Sequence, residues 1–184
     1  MYIQKIVLSL VFLIICSLSF LFYNHHQPPN NNDVFRATKN FFPSTEEVYA
    51  VKKVNNEWLT FFRNKNTLFV GKLEQNWLGT WHLINDKGEQ GILATAYYPQ
   101  ENEGVTWGAS GVGERIAYYF GMVSNPNVEK IIVEAQGKEY QDLPFIGAGG
   151  ERFFFLKTEG DVVPYSFKAL SKDGEIIAPR PPIN

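Results

Sequence analysis

EEVYAVKKVNNEWLTFFRNKNTLFVGKLEQNWLGTW, residues 46–81, decides the fold. Val, Tyr, Phe, Thr and Trp gather in short runs, and the runs are separated by Asn55-Asn56 and Asn64-Lys65-Asn66, residues that accept positive φ or close Asx turns. No apolar stripe with a helical period crosses the segment. It therefore predicts strands at 47–54, 57–63, 67–73 and 77–84. The same grammar continues to the C-terminus, with strands expected at 91–98, 115–123, 129–135, 138–143, 152–157, 163–170 and 175–178. Asp86-Lys87-Gly88, Gln136-Gly137 and Lys172-Asp173-Gly174 supply further turns. Short antiparallel strands hide their apolar faces only by stacking one sheet on another or by closing a barrel. The expected fold class is all-β, an antiparallel β-sandwich.

Composition agrees with one globular body. The chain has 184 residues, 45% hydrophobic and 20% charged, with a formal charge of -2. Nucleic acid is not an expected partner, because the basic excess that neutralises phosphates is missing. One cysteine and three histidines are present, and Cys16, His25 and His26 all precede residue 27. That leaves His82 alone in the β region, which excludes a disulfide framework, a Cys-rich or multi-His zinc site and a Cys/His nucleophilic pair. No metal and no cofactor is expected.

Ahead of the strands, Ile6–Tyr23 reads IVLSLVFLIICSLSFLFY without a charge. At about 1.5 Å per residue it reaches roughly 27 Å, close to the thickness of a bilayer core. Lys5 lies on one flank, and no Lys or Arg follows on the other until Arg36. The positive-inside bias predicts a single-pass anchor with the N-terminus cytoplasmic and the remainder extracytoplasmic. Secretion after signal cleavage is the alternative, but Ser17-Leu18-Ser19 is a poorly placed site with FLFY directly behind it. Ile15 before Cys16 argues against a lipoprotein, and LPFIG at 143–147 lacks the threonine and the apolar tail of a wall-anchoring signal. Polar NHHQPPNNND then predicts an extended tether that holds the body off the membrane.

Several residues invite a chemical reading. Trp77 and Trp81, four apart with Gly79 between them, would share one face of a strand. With Trp58 and Trp107 they offer a platform for sugar rings or a partner peptide, or else they belong to the core. GASGVGER at 108–115 and GAGGER at 147–152 are glycine-rich connections in which Arg115 or Arg152 would complete an anion nest. Neither matches a dinucleotide fingerprint or a P-loop, and both precede strands rather than helices. Ser110, His82 and one of Asp86, Asp142 or Asp161 would be needed for a serine hydrolase, yet GASGV misses the nucleophile elbow. Glu101 and Glu103 form a loop pair of the kind that binds Ca²⁺ or performs acid/base work, although solvated loop carboxylates are the commoner case. No catalytic residue is assigned.

Two resemblances add to this. NPNVEKIIVEAQGKEYQ, FFFLK and PYSFKALSKDGEII, within residues 125–178, resemble the closing half of an immunoglobulin-like sandwich, without the Cys–Trp–Cys constellation of a true immunoglobulin domain. The 46–81 meander resembles that of small, mostly uncharacterised exported proteins of low-GC Gram-positive bacteria, which implies an envelope address. The expected organisation is a transmembrane anchor at 1–24, a flexible linker at 25–45, a β-sandwich ectodomain at 46–178 and a tail at 179–184. Within the ectodomain a meander covers 46–104 and the immunoglobulin-like part 105–178. The expected partners are the lipid bilayer, through residues 6–23, and an envelope protein or cell-wall glycan, with Trp77, Trp81, Trp107, Arg115 and Arg152 as binding residues. A hydrolase built on Ser110 and His82 or on the Glu pair, and a sensor acting through a membrane partner, are the alternatives.

Overall fold

A computed structural model describes residues 2–41, 43–100, 103–112, 115–141 and 143–183. Its first element is α1 (Tyr2–His25), followed by a short α2 (Asn31–Ala37). Five strands come next: β1 (Glu47–Val54), β2 (Glu57–Arg63), β3 (Thr67–Gln75), β4 (Trp81–Ile84) and β5 (Ala94–Tyr97). They form one antiparallel outer sheet in the order β1-β2-β3-β4, and β5 pairs with the first half of β3. Eight more strands follow: β6 (Gly108–Val112), β7 (Ile116–Val123), β8 (Lys130–Ala135), β9 (Lys138–Tyr140), β10 (Ile146–Ala148), β11 (Glu151–Glu159), β12 (Tyr165–Leu170) and β13 (Ile176–Ile183). These build a central sheet, β10-β11-β7-β6, and a C-terminal sheet, β13-β12-β8-β9.

The turns explain much of the pairing. Asn55 and Asn56 (φ 47° and 68°), Gln136 and Gly137 (53° and 72°), and Gly149 and Gly150 (60° and 87°) each make a two-residue hairpin loop. Two consecutive positive φ values match the right-handed twist of the flanking strands. Where the loop is longer, a side chain organises it: the Asn64 Oδ1 accepts from the Asn66 and Thr67 amides at 3.0 and 2.9 Å.

Order of strands in the last two sheets is that of an immunoglobulin-type sandwich. β6-β7-β11-β10 occupy the places of strands A-B-E-D, and β9-β8-β12-β13 those of C′-C-F-G. Antibody domains bridge strands B and F with a disulfide. Here aromatic rings make that crossing: Tyr119 on β7 meets Phe167 on β12 at 6.2 Å, and Trp107 stacks on Phe167 at 5.0 Å.

In this chain the central sheet is buried on both faces. Tyr118, Phe120, Met122 and Phe153 point towards Leu59, Phe61, Leu68 and Val70 of the outer sheet. Their alternating neighbours Tyr119, Val123 and Phe154 point towards Ile131, Val133, Phe167 and Ala169 of the C-terminal sheet. Each fully buried aromatic of this kind contributes roughly 1.5–3 kcal/mol. Gly121 serves the close packing, since a Cβ there would collide with the Thr106 carbonyl and the Phe154 ring. The layer order is outer, central, C-terminal. The meander is thus a third layer over the immunoglobulin-type pair, and the central sheet belongs to both cores.

Four expectations are corrected. The 25–45 linker is largely structured: α1 runs on to His25, and α2 is closed at its start by a capping box between Asn30 and Asp33. Val34 of α2 is fully buried against Val48, Phe62, Leu73 and Leu83 on the far face of the outer sheet. The 179–184 tail continues β13 as far as Ile183. Residues 108–112 are a strand rather than a glycine loop, because their small side chains let β5 come close; a Cβ on Gly108 would strike the Thr95 carbonyl. The strand expected at 77–84 begins only at Trp81, since the Asn76 Oδ1 accepts from the Leu78 and Thr80 amides at 3.0 and 2.9 Å and curls the chain into a turn.

Candidate binding site

The four indoles separate. Trp107 is 7% exposed and lies in the inter-sheet core, so it is no part of an open platform. Trp81 and Trp58 are half-buried on the far face of the outer sheet, beside the patch that α2 covers, and meet edge to face at 6.4 Å. Trp77 is in the turn, 75% exposed, with the 46%-exposed Leu78 next to it. Trp77 and Trp81 therefore do not share a strand face as their spacing implied. The notch expected at Gly79 is filled by Asn24 of α1, whose Cβ lies 2.7 Å from where a Gly79 Cβ would stand. Gly79 also has φ +80°, so both its backbone and its space require glycine.

The helix and the hairpin are joined by polar contacts. The Gln75 side-chain amide donates to the Asn24 carbonyl at 2.8 Å, and the His25 Nε2–H donates to the Trp77 carbonyl at 2.9 Å. The Gln75 bond satisfies one of the carbonyls that every helix leaves without an internal partner at its C-terminus. The His26 Nδ1 bonds back to the Phe22 carbonyl at 2.8 Å. Adjacent histidines are thus used one by one. Among the described residues, no group of three or more His, Cys, Asp or Glu side chains converges to hold a metal ion.

Arg152 is committed inside the fold. Its guanidinium donates to the Val128 carbonyl at 2.7 Å and the Asn125 carbonyl at 2.5 Å, and lies over the Phe145 ring at 4.9 Å. An anion nest is not what it builds; it ties the start of β11 to the loop before β8. Arg115 follows β6 at an exposed turn, where its carbonyl accepts from Gly160 at 2.9 Å.

His82 is exposed on the opposite face of β4 from Trp81, and its Nε2 accepts from the Asn76 amide at 2.9 Å. Ser110 on β6 lines a shallow depression with Asn85, Lys87 and Thr95, so the structure does not bring these two side chains together. Glu103 accepts from the Gln100 amide at 3.2 Å. Glu101 and Asp142 lie outside the described residues.

Asp86 belongs to a cluster that no local pattern announces. Its carboxylate, 8% exposed, accepts from Lys157 at 2.7 Å and from the Tyr118 hydroxyl. Lys72 pairs with Glu57 at 2.7 Å, and the two ion pairs face each other at 3.9 Å across the diagonals. Two ammonium groups alternate with two carboxylates, so the charges cancel. The cluster links β2, β3 and the β4–β5 turn to β7 and β11, and it joins the outer to the central sheet.

Two phenols are shifted by burial. Burial pushes the Tyr119 hydroxyl up to about 12, and that hydroxyl donates to the Val162 carbonyl at 2.8 Å. Tyr49 is raised well above the ordinary tyrosine range by burial and by its hydrogen bond with Tyr98. The Arg63 guanidinium sits over the Tyr98 ring at 4.6 Å and pairs with Glu46 and Glu47 at 2.8 and 3.0 Å.

Comparison with known protein families, with characterised proteins and with solved structures finds no match to this chain.

Proposed function

We propose that this chain is a membrane-tethered extracytoplasmic binding module that engages an envelope protein or a cell-wall component by contact rather than by catalysis. One observation carries the reading. The helix Gln4–His25 has a mean hydropathy of 2.7, and none of its most apolar stretch is buried against the rest of the chain. Such a helix needs an apolar surrounding that its own fold does not provide. Lys5, just ahead of its uncharged run Ile6–Tyr23, and the absence of Lys and Arg between that run and Arg36 favour a cytoplasmic N-terminus. Arrival of the intact chain in the membrane, rather than secretion of a cleaved body, agrees with the poorly placed cleavage site at Ser17-Leu18-Ser19.

The surface offered to a partner is the half-buried Trp58–Trp81 pair, beside the patch that α2 covers. Broad aromatic faces carry large contact area at little entropic cost, which suits sugar rings and peptide side chains alike. A photo-crosslinking amino acid at position 81, with a control at exposed Lys172, tests this in intact cells. Adducts to an envelope protein or to wall material from position 81 alone are expected. Equal labelling from both positions, or none from 81, contradicts the reading.

A further inference from the structure

We infer that the β3–β4 turn, Asn76–Thr80, is a lipid-binding foot that rests in the interfacial region of the outer leaflet beside α1. The inference depends on the membrane anchoring proposed above and adds a second, independent point of membrane contact. Trp77 and Leu78 are consecutive, large, apolar and exposed at 75% and 46%, at the tip of a hairpin where polar residues are the rule. Nothing in Asn76–Thr80 carries a charge.

Position decides what covers them. The Trp77 carbonyl is held by His25 at 2.9 Å, and Gln75 bridges the Asn24 carbonyl and the Gly79 carbonyl at 2.8 and 2.9 Å. The tip is therefore fixed at the outer end of the apolar helix. Leu78 and Thr80 share an open groove with Cys16, Phe20 and Asn24, one ridge of α1 at successive helical turns. At about 1.5 Å per residue that ridge extends roughly 12 Å from Asn24 down to Cys16. With Ile6–Tyr23 across the bilayer, the lower part of the groove lies at acyl-chain depth. Trp77 then sits level with Tyr23, itself 63% exposed, in the zone where tryptophan and tyrosine belts form. The occupant is a phospholipid of the outer leaflet, its acyl chain against Leu78 and Phe20 and its headgroup beside the indole. The β body is thus seated on the membrane instead of held away from it by a tether.

The test uses the full chain reconstituted into phosphatidylcholine vesicles whose acyl chains carry bromine, a short-range quencher of indole emission. Trp77→Phe changes one exposed side chain and leaves the three other indoles in place. Both proteins are expected to float with the vesicles, with lipid quenching strong in the wild type and largely lost in W77F. Flotation with equal quenching in the two proteins overturns the foot and leaves the anchor standing. Failure of both proteins to float overturns the anchor, and the foot with it.

Discussion

Trp107 beside the central sheet and Trp77 at the β3–β4 tip put the same side chain to opposite uses. Trp107 is 7% exposed, stacked on Phe167 and edge-on to Phe154, while Trp77 is 75% exposed and its backbone carbonyl accepts from His25. The difference comes from their neighbours. Trp107 runs into the small residues of β6, which let sheets close over it, whereas Asn76 and Gly79 curl the chain around Trp77 and leave the indole no inward direction. An aromatic-rich β body can therefore hold its core and its exposed surface in residues that composition does not separate.

The sharpest way to break this contrast is at the core end. Phe167 touches Trp107, Tyr119, Phe154 and Tyr165. Phe167→Ala should cost about 3–5 kcal/mol in urea unfolding of the detergent-solubilised protein. A loss below about 1 kcal/mol would mean that the immunoglobulin-type pair is not the stabilising core.

Alkaline titration comes next, with an effect on the order of 2 kcal/mol. Tyr119 titrates near 10 when unfolded and at about 12 when folded. Its contribution is complete below pH 10 and is lost as the pH climbs to about 12, because the unfolded phenol gives up its proton first. Tyr119→Phe should flatten that part of the stability curve, leaving the slope that Tyr49 contributes. Asp86→Ala should cost a similar amount, about 2 kcal/mol by thermal unfolding, since it takes the acceptor from the Tyr118 hydroxyl and leaves Lys157 with the longer 3.9 Å contact to Glu57.

Much of this arrangement was legible in the residues. The strand at 116–123 reads IAYYFGMV without interruption, and a continuous apolar run is what burial on both faces requires. The third layer was nevertheless hidden, because nothing local says which sheet covers the second face. α2 has no periodic apolar stripe, because NNDVFRA has seven residues and one buried side chain; Asn30 and Asp33, three apart, are its local signal. β6 reads as a loop from its residues because glycine usually weakens strands, and the close approach of Thr95 that demands glycine is a tertiary fact. Asp86 is visible as a carboxylate, but its partners stand at positions 72, 118 and 157.

Smaller effects refine the other side of the comparison. Val34→Ala removes about two methyl equivalents from under α2 and should cost about 1.5 kcal/mol, with loosening confined to residues 31–37 in hydrogen exchange. Trp77→Phe should change unfolding stability by less than about 0.5 kcal/mol, as befits a side chain that is 75% exposed.

The proposed orientation of the chain across a membrane is tested most directly by cysteine labelling in intact cells. In a Cys16→Ser background, Lys172→Cys on the exposed β12–β13 turn and Gln4→Cys at the start of α1 are each treated with a membrane-impermeant maleimide. Labelling of position 172 before lysis and of position 4 only after lysis is the predicted result. Position 172 protected until lysis, or position 172 recovered on a shortened chain in the medium, would contradict it.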